Sequence, residues 1–308
     1  MTDLFAVDDP NADPAYVNIR AAAREGSARA RAHCEDLWRD FEPYASRHFL
    51  AEFPYHLHQR WHEMYLAVVL LRAGVNVQCP KECAPDVKVE YPGGRVLWIE
   101  AVAPTGGDES NPDRVAYPRR REPGEPVVAY RVPIDQVIMR VSGALRDKAE
   151  KIRVYRGRGV IAPEHQALVA INVHDIPHGV YDHERYAFGA TYGVGPQYVV
   201  LDRDSRKAVE SGFQHRPQLR RQAGAPVDVA PFLHAGFAQV TAALFSAVDA
   251  ANYPTPLGLD FMLLPNPNAK PAYTERQLPV GREWRLQAQG EGYNIVEVIE
   301  HQARSPAR

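Results

Sequence analysis

Apolar residues recur at helical spacing in four stretches of the chain. They run from about Ala15 to Tyr44, from Arg60 to about Ala73, from Ile134 to Ile152 and from Phe232 to Val248, and each predicts a helix. The second stretch is apolar on nearly all sides, which predicts that its helix is buried. Its single acidic residue is Glu63.

Shorter apolar runs predict strands. Val87 to Tyr91 and Arg95 to Val102 flank the turn sequence Pro92-Gly93-Gly94, which is typical of a hairpin. Ala167 to Val173 reads as a buried strand, and Leu259 to Leu264 as another.

The order helix, strand, strand, helix, strand favours an α/β fold in which helices flank a mixed central sheet. The helix from Ile134 is long enough to cross over into a parallel strand at Leu168. We expect an N-terminal helical extension over residues 1–54, a core over 55–204, and a C-terminal helix/strand extension over 205–308 packed on that core. Residues before about Pro14 and after about Glu300 are expected to be unstructured, and Thr105 to Pro133 to form a long loop.

Composition narrows the class of protein. The chain has 308 residues, 45% hydrophobic and 24% charged, with a formal net charge of −2. That charge gives no overall attraction to nucleic acid, so any such binding needs a local basic patch. Three cysteines make no disulfide framework, and neither a signal peptide nor a membrane span is indicated. A cytoplasmic protein is the default expectation.

Three carboxylates belong to one helix-plus-hairpin unit: Glu63 on the helix, Asp86 before the first strand and Glu100 near the end of the second. Carboxylates that lie close together repel one another unless a cation sits among them. Hard oxygen ligands favour Mg²⁺ or Mn²⁺, and such a metal suits phosphodiester hydrolysis.

Pro85-Asp86, followed about a dozen residues later by Glu100-Ala101-Val102 and preceded by the Glu63 helix, resembles the PD-(D/E)xK nuclease superfamily. The resemblance extends over roughly Arg60 to Val173. It implies a restriction-endonuclease-like core in which Asp86, Glu100 and Glu63 bind the metal. It also implies hydrolysis of nucleic acid, DNA in preference to RNA, with a 5′-phosphate product. A homodimer would be compatible with this class.

One position departs from the family pattern. The family's lysine stands two residues after the second acid, where this chain has Val102. Lys148 is the expected substitute, because it lies within the apolar stripe formed by Val141, Leu145 and Ile152. An ammonium on a buried stripe is costly unless it meets a carboxylate, and we expect Lys148 to point at Asp86 and Glu100. Lys151 and Lys88 are weaker substitutes.

Other interpretations stay open. The chain could be an inactive nuclease-fold protein that binds nucleic acid or a partner protein through the loop at Arg119-Arg120-Arg121 and the basic segment from Ser205 to Arg221. It could also hydrolyse a small phosphorylated substrate. The pairs His58/His62 and Cys79/Cys83 have metal-ligand spacing, but neither has a second pair to complete a zinc site.

Overall fold

The computed structural model describes residues 2–80, 83–119, 121–122, 124–125, 131–274, 276–289 and 292–298. Within these ranges the α-helices are α1 (Pro14–Ala21), α2 (Glu25–Phe41), α3 (Phe49–Glu52), α4 (Leu57–Arg72), α5 (Ile134–Gly157) and α6 (His183–Tyr192). The strands are β1 (Asn76–Gln78), β2 (Val87–Glu90), β3 (Val96–Val102), β4 (Gln166–Asn172), β5 (Val194–Leu201), β6 (Ala208–His215), β7 (Gln218–Arg220), β8 (Pro226–Asp228), β9 (Ala242–Ser246), β10 (Met262–Pro265), β11 (Arg282–Gln289) and β12 (Gly292–Glu297).

Eight strands form one mixed sheet in the order β1-β2-β3-β4-β9-β10-β11-β12. Neighbours β3, β4 and β9 run parallel, β10 runs parallel to β11, and the remaining neighbours are antiparallel. The prediction of an α/β fold with a mixed sheet flanked by helices is therefore confirmed. The crossover from β3 through α5 into the parallel strand β4 is also as predicted.

The hairpin that carries two of the candidate acids forms as the sequence indicates. Gly93 and Gly94 both adopt positive φ, 86° and 80°, which glycine does without steric cost. The register pairs Val87 with Ile99 and Glu90 with Val96. This register fixes which side chains of β2 and β3 share a face of the sheet.

The two faces of the sheet bury separate hydrophobic clusters. One face, with Leu97, Ile99 and Ala101 of β3, packs against the N-terminal helices and α4. The other, with Val169 and Ile171 of β4, packs against α5 and α6. Helix α4 lies between the sheet and α2, which explains why it is apolar all round.

The prediction of a helix from Phe232 to Val248 is wrong. The segment forms two short 3₁₀ turns, Pro231–Leu233 and Ala235–Phe237, and then strand β9. Every residue of β9 is buried between β4 and β10. A short run that is apolar on both faces shows the same hydrophobic pattern in a central strand and in a buried helix. Pairing with neighbouring strands determines which of the two forms.

The expectation of an unstructured N-terminus is also wrong. Leu4 and Phe5 are 3% and 2% exposed. The ring of Phe5 lies 5.4 Å from that of Tyr16, and the indole of Trp38 donates to the carbonyl of Thr2 at 2.9 Å. Two apolar side chains therefore hold a polar segment onto the core. The predicted unstructured tail lies outside the described residues.

Part of the segment predicted as a C-terminal extension lies inside the central sheet, because β9 to β12 belong to it. The segment from Ser205 to Val227 is largely exposed. It contains β6, which pairs with β5, and the hairpin of β7 with most of β8. The described part of the loop from 103 to 133 has neither helix nor strand. Among the described helices, none combines the length and apolar character that a bilayer span demands.

Candidate functional site

The hairpin register sets Asp86 against Glu100. Val87 pairs with Ile99, so the next pair outward is Asp86 and Glu100, side by side at the end where β3 finishes. The carboxylate of Asp86 accepts the backbone N–H of Ala101 at 2.7 Å. Two acids that are 14 residues apart in the chain therefore become cross-strand neighbours.

Helix α5 supplies the cations that face Glu100. The Lys148 ammonium lies 2.7 Å from Glu100 Oε1, and the Lys151 ammonium lies 3.3 Å from the same oxygen. Glu100 is only 2% exposed, whereas the Lys151 side chain is 56% exposed. The predicted contact of Lys148 with this acid is confirmed, and it explains how a lysine is tolerated on the apolar stripe of α5.

Glu63 reaches the site from α4, on the other face of the sheet. Its carboxylate accepts from Arg60 at 2.5 Å and from Gln59 at 2.8 Å. Both donors lie within one helical turn, where side chains of a helix meet. Glu63 thus enters the site already paired with a cation of its own helix.

Gln59 joins α4 to the end of β3. Its amide nitrogen lies 3.3 Å from the carbonyl of Ala101, and its amide oxygen accepts the N–H of Ala103 at 2.7 Å. The same side chain also donates to Glu63. Sequence reasoning missed Gln59; the signal was its position one turn before Glu63 on the helix, where the two side chains share a face.

Burial and mutual repulsion act on the carboxylates. Burial, and then the negative charges of Glu63 and Glu100, raise the pKa of Asp86 to about 7, against the opposing pull of Lys148 and the Ala101 N–H. Burial also raises the pKa of Glu63, although Arg60 and Gln59 oppose it. The same two acids, Asp86 and Glu63, act after burial to raise the pKa of the nearby Cys79 thiol to about 12. The negative charges of these acids therefore interact across the sheet edge.

The donor chemistry suits Mg²⁺, but the described residues contain no group of three or more His, Cys, Asp or Glu side chains arranged to hold a metal ion. Glu63 is turned towards Arg60, and Glu100 towards two lysines. Mg²⁺ is commonly held by one or two carboxylates together with water and substrate phosphate. Asp86 and Glu100 fit that two-carboxylate arrangement better than a closed cage of three.

The remaining candidate residues lie elsewhere. Lys88 pairs with Glu90 and lies over the ring of Trp98. His58 lies 3.8 Å from Asp175, whereas His62 lies 3.4 Å from a backbone carbonyl of β4, so the two histidines contact different groups.

The two remaining candidate features are the cysteine pair and the loop arginines. Cys79 and Cys83 are free thiols. In the loop, Arg119 pairs with Glu125, Arg121 donates to a backbone carbonyl, and Arg120 lies outside the described residues.

Comparisons with protein-family models, curated proteins and solved structures find no match for this chain. Its function therefore has to follow from the chemistry of the site.

Proposed function

We propose that this protein is a divalent-metal-dependent nuclease of the PD-(D/E)xK class, hydrolysing phosphodiesters of DNA in preference to RNA. The observation that carries the proposal is the meeting of Asp86, Glu100 and Lys148 at one end of the hairpin, with Lys148 Nζ 2.7 Å from Glu100 Oε1. Two adjacent acids and a lysine are the groups that metal-assisted phosphodiester hydrolysis needs. The restriction-endonuclease-like core is part of the same proposal.

Asp86 and Glu100 would hold Mg²⁺ or Mn²⁺, with the Ala101 carbonyl as a further oxygen ligand. Bound there, the cation would supply Lewis-acid stabilisation of the charge that develops on the phosphodiester. The Asp86 pKa of about 7 supports this role, because a bound cation would stabilise the ionised carboxylate against the burial and the repulsion that raise that pKa. Glu63 would bind the metal directly or through a water molecule. Arg60 and Gln59 already hold its carboxylate.

Lys148 would hold the attacking water and counter the charge on phosphorus. Its side chain is 13% exposed, so a substrate phosphate could reach the ammonium without unfolding α5. Lys151, on the same helix and more exposed, would contact the phosphate backbone next to the scissile bond.

A specific observation favours a second candidate, a catalytically inactive nuclease-fold protein that binds nucleic acid or a partner protein. Each of the three acids already has a donor from the chain itself: Arg60 for Glu63, the Ala101 N–H for Asp86, and two lysines for Glu100. Such internal pairing needs no metal. The two candidates differ in whether a divalent cation competes successfully with those donors.

A cleavage assay separates the candidates. The full chain is incubated with supercoiled plasmid, single-stranded DNA, RNA and mononucleotides, in Mg²⁺, in Mn²⁺ or in EDTA. The nuclease proposal expects metal-dependent DNA cleavage that Glu100→Gln abolishes. DNA binding without cleavage in either metal supports the inactive protein and contradicts the nuclease. Release of phosphate from nucleotides alone would indicate a hydrolase of small phosphorylated substrates.

A further inference from the structure

Strands β5 and β6 form an arm that projects from the body of the protein. Among the described strands they pair only with each other, as a two-stranded sheet separate from the central one. From residue 197 to residue 215 every side chain is exposed except those of Tyr198 and Asp202, and Gly212 is half-buried. Each strand has eight residues, so the arm is about 26 Å long. A two-stranded ribbon is marginally stable alone in water, so it gains stability from a partner that covers it.

The two faces of the arm differ in chemistry. Side chains alternate along a strand, and the register places Val199, Leu201 and Phe213 on one face. These three apolar side chains are 54%, 61% and 64% exposed. On the opposite face, the Tyr198 hydroxyl donates to the Glu210 carboxylate at 2.6 Å. One face of the arm is therefore apolar and open, whereas the other has a polar contact of its own.

The arm and the strand that follows it form a basic patch in an otherwise acidic chain. Residues 202–221 contain six Arg or Lys against three Asp or Glu, so their formal net charge is +3. The whole chain has a net charge of −2, which leaves −5 for the other residues. Within the described residues, five of the six cations form no ion pair: Arg203, Arg206, Lys207, Arg220 and Arg221. This surface therefore provides the local basic patch that nucleic-acid binding by such a chain requires.

The sixth cation, Arg216, attaches the root of the arm to the helix of the candidate site. Its guanidinium makes two contacts with the Asp135 carboxylate in the first turn of α5, at 2.9 and 3.2 Å. Lys148 lies 13 residues further along α5, which is about 20 Å along the helix axis. The backbone N–H of Gln222, in the turn between β7 and β8, donates to Asp113 in the loop after β3 at 2.7 Å. The basic patch is therefore joined to α5 and β3, the two elements that carry the candidate site.

The shape and chemistry of the arm fit the major groove of duplex DNA. That groove, about 12 Å wide, admits a two-stranded β-ribbon and displays the apolar methyl groups of thymine. An apolar ribbon face can contact the base edges while neighbouring cations contact phosphates. The major groove of duplex RNA is too narrow and deep for side chains to read. A second copy of this chain would cover the apolar face but would leave the unpaired cations unexplained.

We propose that the β5–β6 arm enters the major groove of duplex DNA and holds the duplex beside the candidate nuclease site. Its apolar face contacts the base edges, and Arg203, Arg206 and Lys207 at its tip contact phosphates. This inference rests on the proposed function for the identity of the substrate, but it requires no step of cleavage. Because the root of the arm lies about 20 Å from Lys148 along α5, a duplex that reaches both places spans about six base pairs.

Fluorescence anisotropy with a labelled 30-base-pair DNA duplex, in EDTA to prevent cleavage, tests the arm. We expect the full chain to bind with a Kd below about 100 µM in 0.1 M KCl, and at least tenfold more tightly than it binds duplex RNA of the same sequence. The double variant Arg203→Gln/Lys207→Gln should weaken DNA binding at least tenfold. It should also reduce the slope of log Kd against log salt concentration by about 2.

The matched control is the double variant Arg29→Gln/Arg39→Gln. It removes the same charge from exposed positions of α2, which packs on the other face of the central sheet, and it should bind DNA as the parent does. The side-chain hydrogen bonds in the turn of the arm join Asp202 and Ser205, so both double variants should keep the melting temperature of the parent. An equal loss of affinity in the two double variants overturns the proposal, as does a parent chain that binds no DNA or binds duplex RNA as tightly.

Phe213→Ser tests the other occupant of the apolar face, a second copy of this chain. We expect light scattering to show an unchanged molecular mass, while the affinity for DNA falls at least threefold. A dimer that Phe213→Ser dissociates without loss of DNA affinity contradicts the DNA arm. Since no readout depends on cleavage, a chain that binds DNA through the arm but never cuts it contradicts only the nuclease proposal.

Discussion

Lys148 Nζ lies 2.7 Å from Glu100 Oε1 across 48 residues of chain, and it ties helix α5 to the end of strand β3. Glu100 is 2% exposed, so its side chain is held by protein cations and not by water. In the nuclease pattern the lysine would stand at position 102. Side chains alternate along a strand, so Glu100 and Val102 lie on the same face of β3. A lysine from α5 therefore reaches the carboxylate that a lysine at position 102 would neighbour.

Replacing Lys148 with glutamine should affect both activity and stability. We expect metal-dependent DNA cleavage to fall about 10²–10³-fold, as on loss of one electrostatic contact to a transition state. Unfolding free energy should fall by about 1–3 kcal/mol because Glu100 loses its closer partner, although Lys151 remains. Single-turnover cleavage and urea titration measure the two effects.

Lys151→Gln is the matched control, because Lys151 contacts the same oxygen from an exposed position. It should lower cleavage less than tenfold and leave stability within about 0.5 kcal/mol of the parent, as exposed ion pairs contribute little. Equal effects of the two substitutions on cleavage would remove the special role given to Lys148.

Moving the lysine back to the strand tests its role more sharply. In the Lys148→Gln background, the second substitution Val102→Lys should restore cleavage at least tenfold over Lys148→Gln alone. Val102 is half-buried and lies on the Glu100 face at the end of β3, so the new ammonium can reach the carboxylate. If the double variant folds with native stability and stays as inactive as the single one, a nearby ammonium is not what Lys148 supplies.

Gln59 is expected to be a positioning residue. Gln59→Ala removes contacts to Glu63 and to the backbone of Ala101 and Ala103 at once. Cleavage should fall about 10–100-fold, as is typical when a group that orients metal ligands is lost. The Mn²⁺ concentration for half-maximal cleavage should rise. The control is Gln222→Ala, which alters an exposed glutamine. If Gln59→Ala leaves the Mn²⁺ concentration for half-maximal cleavage unchanged, Gln59 has no positioning role.

The pKa of Asp86 near 7 predicts a pH dependence of stability in EDTA. The folded-state pKa lies above the ordinary value of 3.8, so folding favours the protonated acid. Stability from this group is fully present below about pH 4 and is lost as pH rises towards 7. Asp86→Asn should therefore match the parent at pH 4 and exceed it by about 1–3 kcal/mol at pH 8. Urea unfolding at both values measures this, and an equal difference at the two pH values contradicts it.

Local patterns were enough to predict the hairpin, the buried α4 helix and the α5 crossover. Gly93 and Gly94 marked the turn, and the apolar stripe through Val141, Leu145 and Ile152 marked the face of α5 that meets the sheet. Because Lys148 lies within that stripe, its contact with a buried acid followed from the cost of an unpaired ammonium. The fold class and this ion pair were therefore accessible from sequence.

Features that depend on distant partners could not be predicted from local patterns. The strand β9 is apolar on both faces, so only its place between β4 and β10 distinguishes it from a helix. The apolar anchors of the N-terminal segment, chiefly Leu4 and Phe5, are too few for a periodic signal. Gln59 is an ordinary helical residue until the end of β3 is brought against it. Tertiary pairing, which one sequence does not encode locally, supplies all three.

The proposed nuclease chemistry depends on a divalent cation that Asp86 and Glu100 hold together, and calorimetric titration with Mn²⁺ measures that binding most directly. We expect saturable binding to the full chain at pH 8 and at least a tenfold loss of affinity in Asp86→Asn. The control Asp147→Asn, which alters an exposed carboxylate of α5, should bind as the parent does. Equal Mn²⁺ affinity in the parent and Asp86→Asn would contradict the metal site and the nuclease proposal built on it.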